Sequence, residues 1–195
     1  MTATDPKRPF VHLGDCPPNH MDRTTKKLLQ ETLIRLRDYM KDFYPNREFG
    51  TRFWELEEND LFFEALGYLP LQMPDEVLED IDILSRMPRG YRLAFPIFWI
   101  EDDYFVNGWT ALSNAGEWLL PAAIDAYREI GMLSEAEALS AALSVIQRGE
   151  DDYYDEATEA AYRSVPNQFA DDEAKDRALL EFFRSDPSLF DFNDA

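Results

Sequence analysis

The chain is poor in the residues on which most catalytic and metal chemistry rests. Its 195 residues include one cysteine, Cys16, and two histidines, His12 and His20. A lone cysteine forms no internal disulfide, and the first nine residues, Met1 to Pro9, lack the apolar run of a secretory signal; together these predict a cytoplasmic protein. His12, Cys16 and His20 recur every four residues, as ligands on a helix can, but Gly14, Pro17 and Pro18 prevent a helix there and no fourth ligand stands near. No metal and no cofactor are therefore predicted. A Ser-His-Asp triad would have to take its histidine from this same segment, which argues against most hydrolase chemistry. There is no glycine-rich phosphate loop, CxxC pair or GxSxG elbow. Nor does any stretch approach eighteen consecutive apolar residues: the most apolar, Leu93 to Ile100, is less than half a membrane span and contains Pro96, so it reads as core.

What the chain has is apolar bulk and acid. Hydrophobic residues make up 45% of it, with 14 Phe, nine Tyr and four Trp, enough to build a core and to exclude global disorder. The formal net charge is −20 and is unevenly spread: residues 1–52 carry 10 Lys/Arg against 7 Asp/Glu, whereas 53–195 carry 9 against 32. The acid thus belongs to the body of the fold. Such a field repels nucleic acid and anionic membrane and accelerates encounter with basic proteins. The same composition would serve solubility alone, or a high-salt cytoplasm; five Lys against 14 Arg and 21 Asp suit that habitat.

Periodicity points to helices throughout. Residues 1–22 hold four prolines and read as an extended arm. Leu29, Leu33, Leu36, Met40 and Phe43 then recur at steps of four and three, one stripe of a helix that Thr24 or Thr25 caps and Pro45 ends. A second helix is predicted from Asn59 or Asp60 to a stop at Gly67. A third follows from Pro74, with Val77, Leu78, Ile81 and Leu84 as its buried face and Pro88 as its end. The aromatic run Tyr91 to Phe105 suits a strand or a helix, and its helical neighbours favour a helix. Trp118 to Ile130 and the helix after Ser134-Glu135-Ala136-Glu137, which has capping-box spacing, form a hairpin, and two more helices are expected over about 155–163 and 172–184. The fold class is all-α: an extended arm over 1–22, one helical bundle of about seven helices over 23–190, and a tail over 191–195.

Two acidic groupings are the candidate sites. Glu101, Asp102 and Asp103 leave the most apolar segment, which can desolvate one carboxylate and raise its pKa into general-acid range. Glu150, Asp151, Asp152, Asp155, Glu156 and Glu159 fall within ten residues that contain no basic residue. Asp151 to Asp155 also matches the DDxxD pattern with which all-α isoprenoid synthases hold diphosphate through Mg²⁺, but no second metal motif accompanies it, and the chain is short for that family. In the first helix, Lys26, Lys27, Arg35, Arg37 and Lys41 alternate with Glu31, Asp38 and Asp42, a solvated face rather than a phosphate track.

The segment Asn107-Gly108-Trp109-Thr110-Ala111-Leu112-Ser113-Asn114-Ala115-Gly116, with Ala126 to Gly131 after it and the closing Leu179-Leu180-Glu181-Phe182-Phe183-Arg184-Ser185-Asp186-Pro187-Ser188-Leu189-Phe190, resembles a bacterial family long catalogued as a domain of unknown function. That family's centre reads Asn-Gly-Gly-Phe, then Asn-Ser-x-Gly, and it closes on an Asn-Pro-x-x-Phe tail. Here Trp109 takes the place of the second glycine and Asp186 that of the tail's Asn. Its better-known members are described as DNA-mimic proteins. The resemblance implies an all-α homodimer whose acidic surface occupies the DNA-binding face of a basic regulator.

Taken together, these features predict an acidic protein-binding module rather than an enzyme. Its partner would be a basic protein, a DNA-binding regulator, nuclease or toxin, met through Glu101, Asp102, Asp103, Glu150, Asp151, Asp152, Asp155, Glu156 and Glu159, without direct nucleic-acid or membrane binding. Two alternatives remain open: an antitoxin-like immunity protein that neutralises a cationic toxin, and a carboxylate-dependent enzyme.

Overall fold

The computed structural model describes residues 21–149 and 154–192. Most of the expected arm, the end of the tail, and Glu150, Asp151 and Asp152 lie outside them. The described residues form nine α-helices, two 3₁₀ turns and no strand, an all-α fold. The helices are α1 (Arg23–Phe43), α2 (Asn59–Gln72), α3 (Asp75–Glu79), α4 (Ile81–Ser85), α5 (Arg89–Asn107), α6 (Thr110–Glu129), α7 (Leu133–Arg148), α8 (Tyr154–Arg163) and α9 (Asp172–Ser185).

In α1 the predicted stripe is buried from Leu29 to Met40, but Phe43 is 56% exposed and packs instead on Tyr39 and Tyr68. The cap is Asp22 rather than either threonine. Its Oδ1 accepts from the N–H groups of Thr24 and Thr25 at 2.8 and 2.9 Å, which places a full negative charge at the positive end of the helix dipole.

Gly67 does not stop α2, which continues through it and through Pro70 to Gln72. A mid-helix glycine costs about 1 kcal/mol, and burying Leu69 and Pro70 in the following turn outweighs that. The third predicted helix is two short ones. Asp80 leaves the helical region at φ −138°, ψ 92°, and its carboxylate accepts from the N–H of Asp82, so it caps α4 where α3 ends.

Between Tyr91 and Phe105 the chain is helical. Leu93, Phe95, Ile97, Phe98 and Ile100 on α5 are all buried, and α5 packs against α2 on one side and α6 on the other. A helix covered this way is apolar nearly all round, and its burial offsets the hydrogen bond lost at Pro96.

The chain then adds helices in order, α6 on α5, α7 on α6 and α8 on α7. The capping box before α7 is not used: the helix starts at Leu133, and Ser134 turns to a neighbouring segment instead. Its N–H and hydroxyl both donate to Oε1 of Gln168 at 3.0 Å, and the Gln168 N–H returns a bond to Ser134 Oγ at 3.1 Å. A residue 34 positions away thus caps the helix.

The chain's closing segment docks back on α5. Phe190, in the 3₁₀ turn Pro187–Phe190, is fully buried among Phe53, Tyr91 and Phe183, with ring centroids 5.1, 5.3 and 5.9 Å away. Gly90 makes room for it: a Cβ there would lie 2.6 Å from a ring carbon of Phe190 and 2.9 Å from the carbonyl of Leu189. Asp186, in the place of the family's Asn, accepts from the Ser188 N–H at 3.1 Å and so fixes the turn.

Candidate functional site

The turn between α5 and α6 is the segment that resembles the family's centre, and its residues hold carboxylates in place. Gly108 makes the turn at φ +58°, a conformation rarely open to other residues. Asn107 and Asn114, on either side of it, donate to the two oxygens of one carboxylate, Asp103, at 2.5 and 2.9 Å. Between them, Thr110 and Ser113 donate to the two oxygens of Asp155 on α8, at 2.7 and 3.1 Å. Gly116, at φ +48° and ψ −155°, then breaks α6 and sets its longer half on a new course. Eight residues of sequence therefore orient two acids that lie 52 positions apart.

The two predicted groupings divide on folding. Glu101, Asp102 and Asp103 are consecutive on a helix and so point in different directions. Asp103 joins the α5–α6 turn. Asp102 faces α2, where its Oδ2 is buried without a hydrogen-bond partner; burial first, and the neighbouring Glu101 charge second, push its pKa up to about 7. Glu101 turns inward. Its carboxylate accepts from the Tyr127 hydroxyl at 2.5 Å and from the Lys175 ammonium at 2.7 Å. Of the second grouping, Asp155 is clamped as above, Glu159 pairs with Arg163 at 3.0 Å, and Glu156 is exposed. Beside Asp103, the end of α5 presents Phe105, 91% exposed, and Val106, 76% exposed.

Glu101 opens onto a cavity of about 380 Å³ enclosed by α5, α6, α7, α8 and α9. One wall is aromatic: Trp109 lies between Tyr104 and Tyr162, with ring centroids 5.1 and 5.2 Å apart, and the Arg163 guanidinium sits 5.4 Å from the Trp109 ring centre. The opposite side is charged. Glu135, only 3% exposed, accepts a hydrogen bond from the Tyr162 hydroxyl, and Lys175 and Asp172 complete it. Burial raises the pKa of Glu135, against the Tyr162 hydrogen bond and the Lys175 charge. Burial pulls Lys175 down, but Glu101, Glu135 and Asp172 together leave it above its ordinary value.

Sequence reasoning missed this cavity. Glu135 reads as part of a capping box, and the bonds of Tyr127 and Lys175 to Glu101 and of Tyr162 to Glu135 join segments far apart in the chain. One signal was present: Lys175 is the only lysine after residue 52, in a stretch of 32 acids, and a solitary lysine there is a candidate for a specific ion pair. Among the described residues no group of three or more His, Cys, Asp or Glu side chains is placed to hold a metal ion, and no helix is long and apolar enough to cross a membrane.

No curated protein and no solved structure matches the chain. A family model described as DMP19-like protein matches residues 85–187, more than half of its length, and that span takes in the α5–α6 turn, the cavity and the helices around them. The chain belongs to the DMP19-like family, the DNA-mimic family that Asn107–Gly116 and the closing helix resemble.

Proposed function

We propose that this protein is an acidic binding protein, not an enzyme, that acts in the cytoplasm as a DNA mimic and occupies the DNA-binding face of a basic regulator or nuclease. The observation that carries this reading is the fixing of Asp103 and Asp155 by side chains of the turn that bears the family resemblance. Surface carboxylates on free side chains would have to be ordered on binding; two held in advance avoid that loss. Carboxylates one helical turn apart stand about 6 Å from each other, near the interval of successive backbone phosphates. A protein built to neutralise phosphates therefore meets charges where it expects them.

The surplus of acid in the body of the chain steers the encounter. Phe105 and Val106, exposed beside Asp103, offer apolar contact that charge alone does not supply. Glu150, Asp151 and Asp152 extend the acidic edge in sequence ahead of α8. Glu101 and Asp102 point into the fold and lie apart from this edge. The homodimer implied by the family resemblance would present two such edges.

The test is competition. The partner is captured on the immobilised protein from cells that make it, identified, purified and rebound, and duplex DNA is then added. The expected result is a DNA-binding protein that duplex DNA displaces, with affinity falling steeply as salt rises. A partner that DNA leaves in place contradicts mimicry.

A further inference from the structure

The geometry points to a second site, the cavity between α5 and α9, as a binding site for a small aliphatic di- or polyamine. Its charges do not balance within the protein. Arg163 is committed to Glu159 at the rim, and the Lys175 ammonium, paired with Glu101, is shared with the Glu135 and Asp172 carboxylates, so that among the described lining residues three acids face one ammonium. Glu135 is buried, uses one oxygen for the Tyr162 hydroxyl and lines the cavity. A carboxylate so far from solvent gains from each further donor that reaches it.

The walls fit the aliphatic part and the charge of such a ligand. At about 380 Å³ the cavity lies within the range usual for small-molecule sites. The Tyr104, Trp109 and Tyr162 rings pack edge to face and tilted along one wall, a lining of the kind that holds organic ammonium groups. Leu112 and Leu139 supply an apolar lining for a methylene chain. Glu135 lies deep and Asp172 is exposed, so one ammonium would pair inside and another at the mouth. A hydrated metal ion would gain nothing from the aromatic wall, and an anion would meet the surplus of carboxylates. This site does not depend on the DNA-mimic reading, and either can fail alone.

The experiment titrates 1,4-diaminobutane and spermidine into the full chain by calorimetry at about 0.15 M salt, where exposed charges are screened over about 8 Å. The uncharged 1,4-butanediol serves as control. The methyl resonances of Leu112, Leu139 and Val165 are followed by NMR, so that the site is located in the unaltered protein. Saturable one-to-one binding that shifts these methyls, is absent with the diol and weakens at least tenfold in Glu135→Gln but not in the surface variant Glu57→Gln supports the inference. Three results would overturn it: amine binding that leaves these methyls unmoved, equal binding of the diol, or Glu135→Gln binding within twofold of the parent. If Glu135→Gln does not fold, the methyl shifts and the diol control decide alone.

Discussion

Gly90 and Phe190 lie so close that neither position tolerates change. Replacing Gly90 by Ala adds about 1 kcal/mol of helix propensity, but the new methyl meets the Phe190 ring and the backbone carbonyl of Leu189, and overpacking of that kind costs about 1–3 kcal/mol. The variant should therefore be less stable in urea despite sitting in a helix, and Phe190→Ala should lose about 3–5 kcal/mol as its aromatic cluster empties. Asp102 makes a prediction in pH. Its pKa in the folded protein, about 7, stands above the ordinary carboxylate value. The folded state thus holds a proton that the unfolded state has released, and stability falls as pH rises through that window. Glu101 on its own helix is the charged neighbour that adds to the effect, and Gly67 of α2 faces it without a charge. Asp102→Asn should raise the melting temperature by at least about 2 °C at pH 8 and leave it unchanged near pH 4, as measured by thermal unfolding at the two pH values. The perturbed carboxylate was legible in the sequence, because Glu101 to Asp103 follow an apolar run; which of the three it would be was not, since that depends on where α2 packs.

At the scale of elements, what the sequence concealed came from distant partners. The stripe of α1 as far as Met40, the end at Pro45 and the extents of α8 and α9 were readable because they depend on local spacing. Gly67 and the Ser134 box have local patterns that read as a stop and a cap, yet a neighbouring helix in one case and Gln168 in the other decide the outcome. Gln168→Ala removes the acceptor shared by the N–H and hydroxyl of Ser134 and should cost about 1 kcal/mol, as losing a cap does. Hydrogen exchange should show the loss as faster exchange in the first turn of α7, with α1 unaffected. The same limit explains the candidate site. The acidic edge and the family's central motif were both visible in sequence, but that the motif's Asn and Thr side chains orient the acids, and that Glu101 turns away from them, needed the packing of α8 on α6 and of α9 on α5.

For the whole molecule, the charge distribution and the family agree on a binding role, and the central claim is that the acidic edge at α8 meets a basic DNA-binding protein. Holding Glu150 to Glu159 together costs folding free energy through self-repulsion, so the cluster either is tolerated or, as proposed, is kept because a cation meets it. Neutralising Asp151, Asp152, Asp155 and Glu156 to Asn or Gln relieves that repulsion but weakens the Thr110 and Ser113 bonds to position 155, so thermal unfolding of the variant is measured before its rates are read. The decisive measurement is the association rate of this variant and of the parent with the captured partner across a salt series. The account predicts a slower on-rate at low salt, about tenfold or more, and a flatter salt dependence, with the off-rate changed less. An on-rate and salt slope equal to those of the parent would contradict it.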